Sequence, residues 1–222
     1  MKKLFINLKS NLKLNEIREF ISNLNELDIK NDIVICPSDI YIMEFCHNNY
    51  ITCAQNVSKY DEGAYTGEVS ASQLKSIKIR YVLVGHFERR KLFNEQEDDF
   101  VLKINQAIDN NINVIFCINK IDDLNILDKV KKIDKVTIAY EPIESIGTNY
   151  VKNIDELVKD IAKIKEFIYN RYCYDMKIIY GGSVDDNNIE SLNELDLDGF
   201  IIGNATLDMK KFYKIKEVIF DK

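Results

Sequence analysis

Eight short, unbroken apolar runs, separated by stretches of helical amphipathicity, limit this chain to very few folds. They are Leu4-Phe5-Ile6, Ile33-Val34-Ile35-Cys36, Ile51-Thr52-Cys53-Ala54, Tyr81-Val82-Leu83-Val84 and Asn113-Val114-Ile115-Phe116-Cys117, then Val136-Thr137-Ile138-Ala139, Lys177-Ile178-Ile179-Tyr180 and Gly199-Phe200-Ile201-Ile202. None alternates with polar residues, as strands covered on both faces do not. Between them, Leu14, Ile17, Ile21, Leu24 and Leu27 form one helical stripe, and Ile154, Leu157, Val158, Ile161, Ile164 and Ile168 form another. Ser70 to Gln73 and Asn153 to Glu156 read as capping boxes or close variants at helix starts. Strand and helix in regular alternation imply right-handed βαβ units and a parallel sheet. Eight runs in 222 residues fit a closed (β/α)8 barrel with some shortened outer helices; a doubly wound open sheet satisfies the same periodicity. No linker marks a second domain, so residues 1–222 are expected to form one.

The chain's net charge of -6 argues against nucleic acid as a partner, because a phosphate backbone selects a basic surface. The same charge requires local donors wherever an anionic ligand binds. Five cysteines stand singly, without CxxC spacing, alongside only two histidines. That pattern fits neither a zinc site nor a disulfide framework, and points to reduced thiols in a cytoplasmic location. No apolar stretch approaches membrane-spanning length, and the run after Lys3 is too short for a signal-peptide core.

In either architecture, ligands sit beyond the C-terminal ends of the strands. The residues there are Asn7-Leu8-Lys9, Gly85-His86-Phe87-Glu88-Arg89-Arg90, Tyr140-Glu141-Pro142, Gly181-Gly182-Ser183-Val184 and Gly203-Asn204-Ala205-Thr206. Each alone reads as a polar turn, a structural histidine or a tight glycine turn. In order along the chain, together with Ala54-Gln55-Asn56, Gly63 to Glu68 and Ile146-Gly147-Thr148, they form a series. That series closely resembles the triosephosphate isomerases from Asn7 to about Leu207.

The resemblance implies a TIM barrel that interconverts dihydroxyacetone phosphate and glyceraldehyde 3-phosphate through an enediolate, without metal or organic cofactor. The roles it carries over are long established for that family. Glu141 matches the base that shuttles the proton, and His86 the neutral electrophile at a helix N-terminus. Lys9 matches the cation over the substrate, Asn7 the amide beside it, and Glu88 a carboxylate close to Lys9. Backbone amides near Gly147, Ser183, Gly203 and Asn204 match the phosphate grip. Pro142, Ile143, Glu144, Ser145, Ile146, Gly147 and Thr148 match the lid, with Gly147 and Thr148 in its C-terminal hinge. The loop around Thr66 matches the segment that reaches a second subunit near its Asn7 and Lys9, which implies a homodimer. Cys117 and the Arg89–Glu95 ion pair match structural features.

Four departures qualify the match. Phe87 stands where the family usually has a serine that contacts the base. Glu144 and Lys120 replace a tryptophan and a glutamate that interact in the family, so an ion pair between them is expected to substitute. Asn204 replaces a phosphate-loop glycine, with the left-handed tolerance of asparagine as compensation. The stretch from Cys117 to Val136 leaves room for only one short helix, from Ile121 to about Lys131. Phe87, Glu144 and Asn204 motivate an alternative, a slow or inactive paralogue that only binds phosphorylated ligands. A different phosphate-handling barrel enzyme has no need of this particular set of residues.

Overall fold

In a computed structural model, residues 2–26, 32–145 and 152–221 are described. All eight apolar runs are strands: β1 Lys3–Asn7, β2 Ile33–Cys36, β3 Ile51–Ala54, β4 Tyr81–Val84, β5 Asn113–Ile118, β6 Val136–Tyr140, β7 Ile178–Tyr180 and β8 Gly199–Ile202. Each pairs in parallel with the next, and β8 returns to β1, so the sheet closes. Closure decides between the two architectures left open by periodicity, in favour of the barrel. The seam depends on Gly199, opposite Lys3 in register. Its φ is 152°, and a Cβ there would lie 2.0 Å from the Lys3 carbonyl oxygen, so only glycine fits.

The helices follow as α1 Leu14–Asn25, α2 Ile42–His47, α3 Ala71–Ser76, α4 Phe87–Phe93, α5 Glu97–Asp109, α6 Ile154–Tyr172, α7 Ile189–Asn193 and α8 Met209–Phe220. Alternate strand residues split the core into two layers. Phe5, Val34, Cys36, Cys53, Leu83, Ile115, Cys117, Ala139, Ile179 and Ile201 pack together, at least one from each strand, and fill the barrel. Their neighbours, such as Leu4, Ile6, Val82 and Ile138, meet the helices outside.

The helical stripes hold in their centres. Ile17, Ile21 and Leu24 are buried on α1, and Leu157, Ile161, Ile164 and Ile168 on α6. Leu14 and Val158 are exposed, because both lie at the margin of the apolar face, and Leu27 lies outside the described residues. Ser70 forms the expected capping box with Gln73, whereas Asn153 caps α6 through the Asp155 N–H alone. The segment after β5 departs from the expected helix: Ile121–Lys129 and Ile133–Lys135 are 3-10 helices. Asp123 accounts for the tighter winding. Its buried carboxylate accepts from the N–H groups of Asn119 and Lys120, which draws the first turn back onto the strand end.

Candidate active site

A cavity of about 400 Å³ opens at the C-terminal ends of the strands. Asn7, Lys9, His86, Glu141, Ser183, Gly203 and Asn204 all line it, so residues up to 197 positions apart in sequence share one wall. Gly147, the remaining candidate for the phosphate grip, lies outside the described residues, as do Ile146 and Thr148 of the expected lid.

Lys9 enters the cavity from a left-handed backbone, φ 51°, which a β-carbon disfavours. Three hydrogen bonds hold it there. The Lys9 N–H donates to Asn7 Oδ1 at 3.1 Å, and its carbonyl accepts from Ser38 Oγ and Gln55 Nε2, both at 2.9 Å. Gln55 also donates to the Cys36 carbonyl at 2.8 Å, tying the turn after β1 to β2 and β3. A strained conformation persists only where its surroundings over-determine it, as here. The Lys9 ammonium ends 2.7 Å from Glu88 Oε1, matching the expected neighbourhood of these two charges.

His86 occupies the N-cap of α4, and its Nδ1 accepts from the Glu88 N–H at 3.3 Å. A ring nitrogen that accepts carries no proton, so the hydrogen-bond network assigns a neutral imidazole with its proton on Nε2. Asn7 has its oxygen committed to the Lys9 N–H, so its Nδ2 amide is the group that faces His86 Nε2, 3.5 Å away. Two donors pointed at one another do not bond. They leave two N–H groups 3.5 Å apart on one wall, where an oxygen with two lone pairs would satisfy both.

Opposite them stands Glu141, 3% exposed, its Oε1 3.8 Å from His86 Nε2. Its Oε2 is buried and hydrogen-bonds no group among the described residues. A carboxylate oxygen in that situation is costly in stability and open to an incoming partner. The backbone is held firmly: the Glu141 N–H donates to the Ile118 carbonyl, and its carbonyl accepts from Asn119 Nδ2 at 2.7 Å. Gly181 leaves the space for the side chain, since a Cβ there would lie 3.0 Å from Glu141 Oε1 and 2.6 Å from Ile201 Cγ2. Cys117 lies just below. Burial, and then the Glu141 charge, push its thiol well above the ordinary range, so it is an inert packing group.

Phe87 is not among the residues that line the cavity. It heads α4, with the Lys91 ammonium over its ring at 5.4 Å. The Lys120 ammonium lies 3.9 Å from Asp122, and the Glu144 charge acts on Tyr140 and Lys152. The lid's first turn, Ile143–Ser145, is wound as a 3-10 helix after a buried Pro142. Tyr140 and Lys152 both bind Asp160 on α6, at 2.8 and 2.7 Å. Asn204 needs no left-handed tolerance, because it opens the 3-10 helix Asn204–Leu207. The positive φ near that end of the cavity belongs instead to Ser183, at 46°. The Arg89–Glu95 pair forms as expected at 2.6 Å, and the buried Lys103 joins it by bonding both Glu95 and Asn56.

Ser38, Gln55 and Asn119 support the site without having been assigned a role from sequence. Of the three, only Gln55 carried a signal, as part of Ala54-Gln55-Asn56. The other two act through contacts that no local pattern encodes.

The family model described as "Triosephosphate isomerase" matches residues 2–219. Curated relatives of that name share this chain's sequence nearly end to end. The Ureaplasma parvum protein is 37% identical, covering 97% of this chain and 98% of its own length. The Francisella tularensis subsp. novicida protein is 34% identical, covering 97% and 96%. The Mesomycoplasma hyorhinis protein is 32% identical, covering 94% and 95%.

Proposed function

This chain belongs to the triosephosphate isomerase family, and from that premise we propose how its own residues divide the reaction. The enzyme interconverts dihydroxyacetone phosphate and D-glyceraldehyde 3-phosphate. One proton leaves carbon and returns to the neighbouring carbon, and one carbonyl becomes a hydroxyl while the adjacent hydroxyl becomes a carbonyl.

Glu141 is the base. The observation that carries this reading is its buried Oε2, without a hydrogen-bond partner among the described residues, across the cavity from the N–H groups of His86 and Asn7. The substrate carbonyl oxygen accepts from His86 Nε2 and Asn7 Nδ2, with the Lys9 ammonium at the same wall. As Glu141 takes the proton from carbon, negative charge grows on that oxygen, where fixed donors already point. Preorganised donors of this kind are worth more in the transition state than in the ground state. Glu141 then returns its proton to the adjacent carbon. A neutral imidazole suits its place, because it can donate to one substrate oxygen and then take a proton from the other.

The phosphate grip falls to the turns at Ser183, Gly203 and Asn204, with Gly147 from the lid. The 3-10 helix at Asn204 opens without a side-chain cap, which leaves its first N–H groups for an anion. Pro142 to Thr148 would close over the bound substrate. No metal or organic cofactor enters the scheme.

The homodimer is supported by the loops after β2, β3 and β4, which are neighbours in the barrel. Ile40, Tyr60 and Tyr65 on the first two of these segments, and Leu92 and Phe93 at the end of α4, are exposed, and the rings of Tyr60 and Tyr65 stack at 4.3 Å beside Thr66. A cytoplasmic location is supported by five free thiols. A single domain is supported by the pairing of β1 with β8, which engages both ends of the chain. A coupled assay with glyceraldehyde 3-phosphate, set against the Glu141→Gln variant, tests the assignment of the base.

A further inference from the structure

We infer that Lys211, on the first turn of α8, is a phosphate-recognition residue of this enzyme. The inference rests on the isomerase reading and adds a cation that the motif series does not contain.

Electrostatics at the far end of the cavity lead to it. The wall carries three carboxylates, Glu141, Asp185 and Asp208, and two ammonium groups, Lys9 and Lys211. Glu141 stands with His86 at the reacting end, and the Lys9 stem passes Gly203, its Cε 3.4 Å from where a Cβ there would lie, on its way to Glu88. Asp185 and Asp208 stand near Ser183 and Gly203, where the phosphate is to bind. A phosphate monoester carries between one and two negative charges at neutral pH. Without Lys211 it would meet two carboxylates against the single ammonium of Lys9, itself paired with Glu88, in a chain of net charge -6.

The two aspartates are turned to other work. Asp208 Oδ1 accepts from the Lys210 and Lys211 N–H groups as the N-cap of α8. Asp185 Oδ1 accepts from the Asn187 and Asn188 N–H groups in the turn before α7. Their charge remains, but their position is fixed. Lys211 is held differently. Its ammonium lies 3.8 Å from Asp186 Oδ1, outside hydrogen-bonding distance, and bonds no acceptor among the described residues. Lys9, by contrast, is committed to Glu88 at 2.7 Å. Lys211 is half-exposed on a long stem, so it can shift toward an anion at Gly203 and Asn204 while keeping its N–H donors available.

The test compares wild type with Lys211→Met and Lys211→Arg. For Lys211→Met, KM for glyceraldehyde 3-phosphate should rise about fivefold, with the larger share of the loss in KM rather than kcat. The dependence of kcat/KM on ionic strength should flatten, because one attracting charge has gone. Lys211→Arg should restore most of both. Unphosphorylated glyceraldehyde supplies the control: the ratio of wild-type to variant kcat/KM should fall toward one, since the group that Lys211 reads is missing. Calorimetric titration with inorganic phosphate reads the same contact without turnover, so it still reports if isomerase activity is absent. An unchanged KM and phosphate affinity in Lys211→Met would overturn the inference. So would an equal loss on both substrates, which marks a structural role.

Discussion

Glu141 illustrates how far a single residue can be read from sequence. A carboxylate before a proline at a strand end is a weak signal, and the order of motifs along the chain supplied its expected role. What sequence did not show is how the carboxylate is held. Its position depends on the missing side chain of Gly181, on Asn119 at its carbonyl, and on burial of the oxygen that is to take the proton. Lys9 is similar: the residue was legible, but its left-handed backbone and the support from Ser38 and Gln55 were not. Those bonds span up to 46 positions, and no window of sequence encodes them. Gly181→Ala tests the argument directly. The added methyl group must displace Glu141 or Ile201, at a stability cost of about 1–3 kcal/mol. A base misplaced by about an ångström loses roughly a hundredfold in rate. We therefore expect kcat/KM to fall by about that factor while urea unfolding shows a protein still folded. Full activity in this variant would mean that the carboxylate does not work from the position seen here.

Among the elements, the strands were legible and the segment after β5 was not. Buried parallel strands announce themselves by unbroken apolar runs, and every one of the eight was found. The stretch Ile121–Lys129 has apolar spacing that also fits an α-helix, but side-chain bonds to its own backbone override that spacing. The same segment offers a pH test. Asp128, at its end, binds Arg171 and Tyr172 on α6. The Arg171 hydrogen bonds, and then that of Tyr172, hold its carboxyl down at about 2, against an ordinary 3.8. A depressed carboxyl stabilises the fold above its unfolded-state value and loses that contribution as pH falls through the folded-state value. The group is exposed, so its effect is small and screened by salt. Asp128→Asn should lower the melting temperature slightly at pH 7, with the gap to wild type closing between about pH 4 and pH 2. A gap that stays constant over that range would contradict a role for the ionised carboxylate.

For the whole molecule, a closed barrel places the carboxyl ends of eight strands around one cavity, so residues from both ends of the chain become neighbours. That geometry explains why a candidate site scattered from Asn7 to Asn204 was readable only as an ordered series. It also makes neighbours of the segments after β2, β3 and β4, which carry the exposed apolar groups Ile40, Leu92 and Phe93. Exposed apolar groups on neighbouring segments are what a second copy would cover. Sedimentation at micromolar concentration should give twice the 25.9 kDa chain mass, and Tyr65→Asp should shift the distribution toward one chain. A wild type that sediments as a monomer would contradict the dimer.

The central claim is that Glu141 moves the proton. The measurement that tests it most directly is the isomerisation rate of glyceraldehyde 3-phosphate by wild type and by Glu141→Gln. Glutamine keeps the shape and burial of the side chain and removes only its basicity. A positioned general base contributes about 10²–10⁴-fold, so kcat should fall by about that range with KM little changed. A glutamine variant that turns over at the wild-type rate would contradict the account.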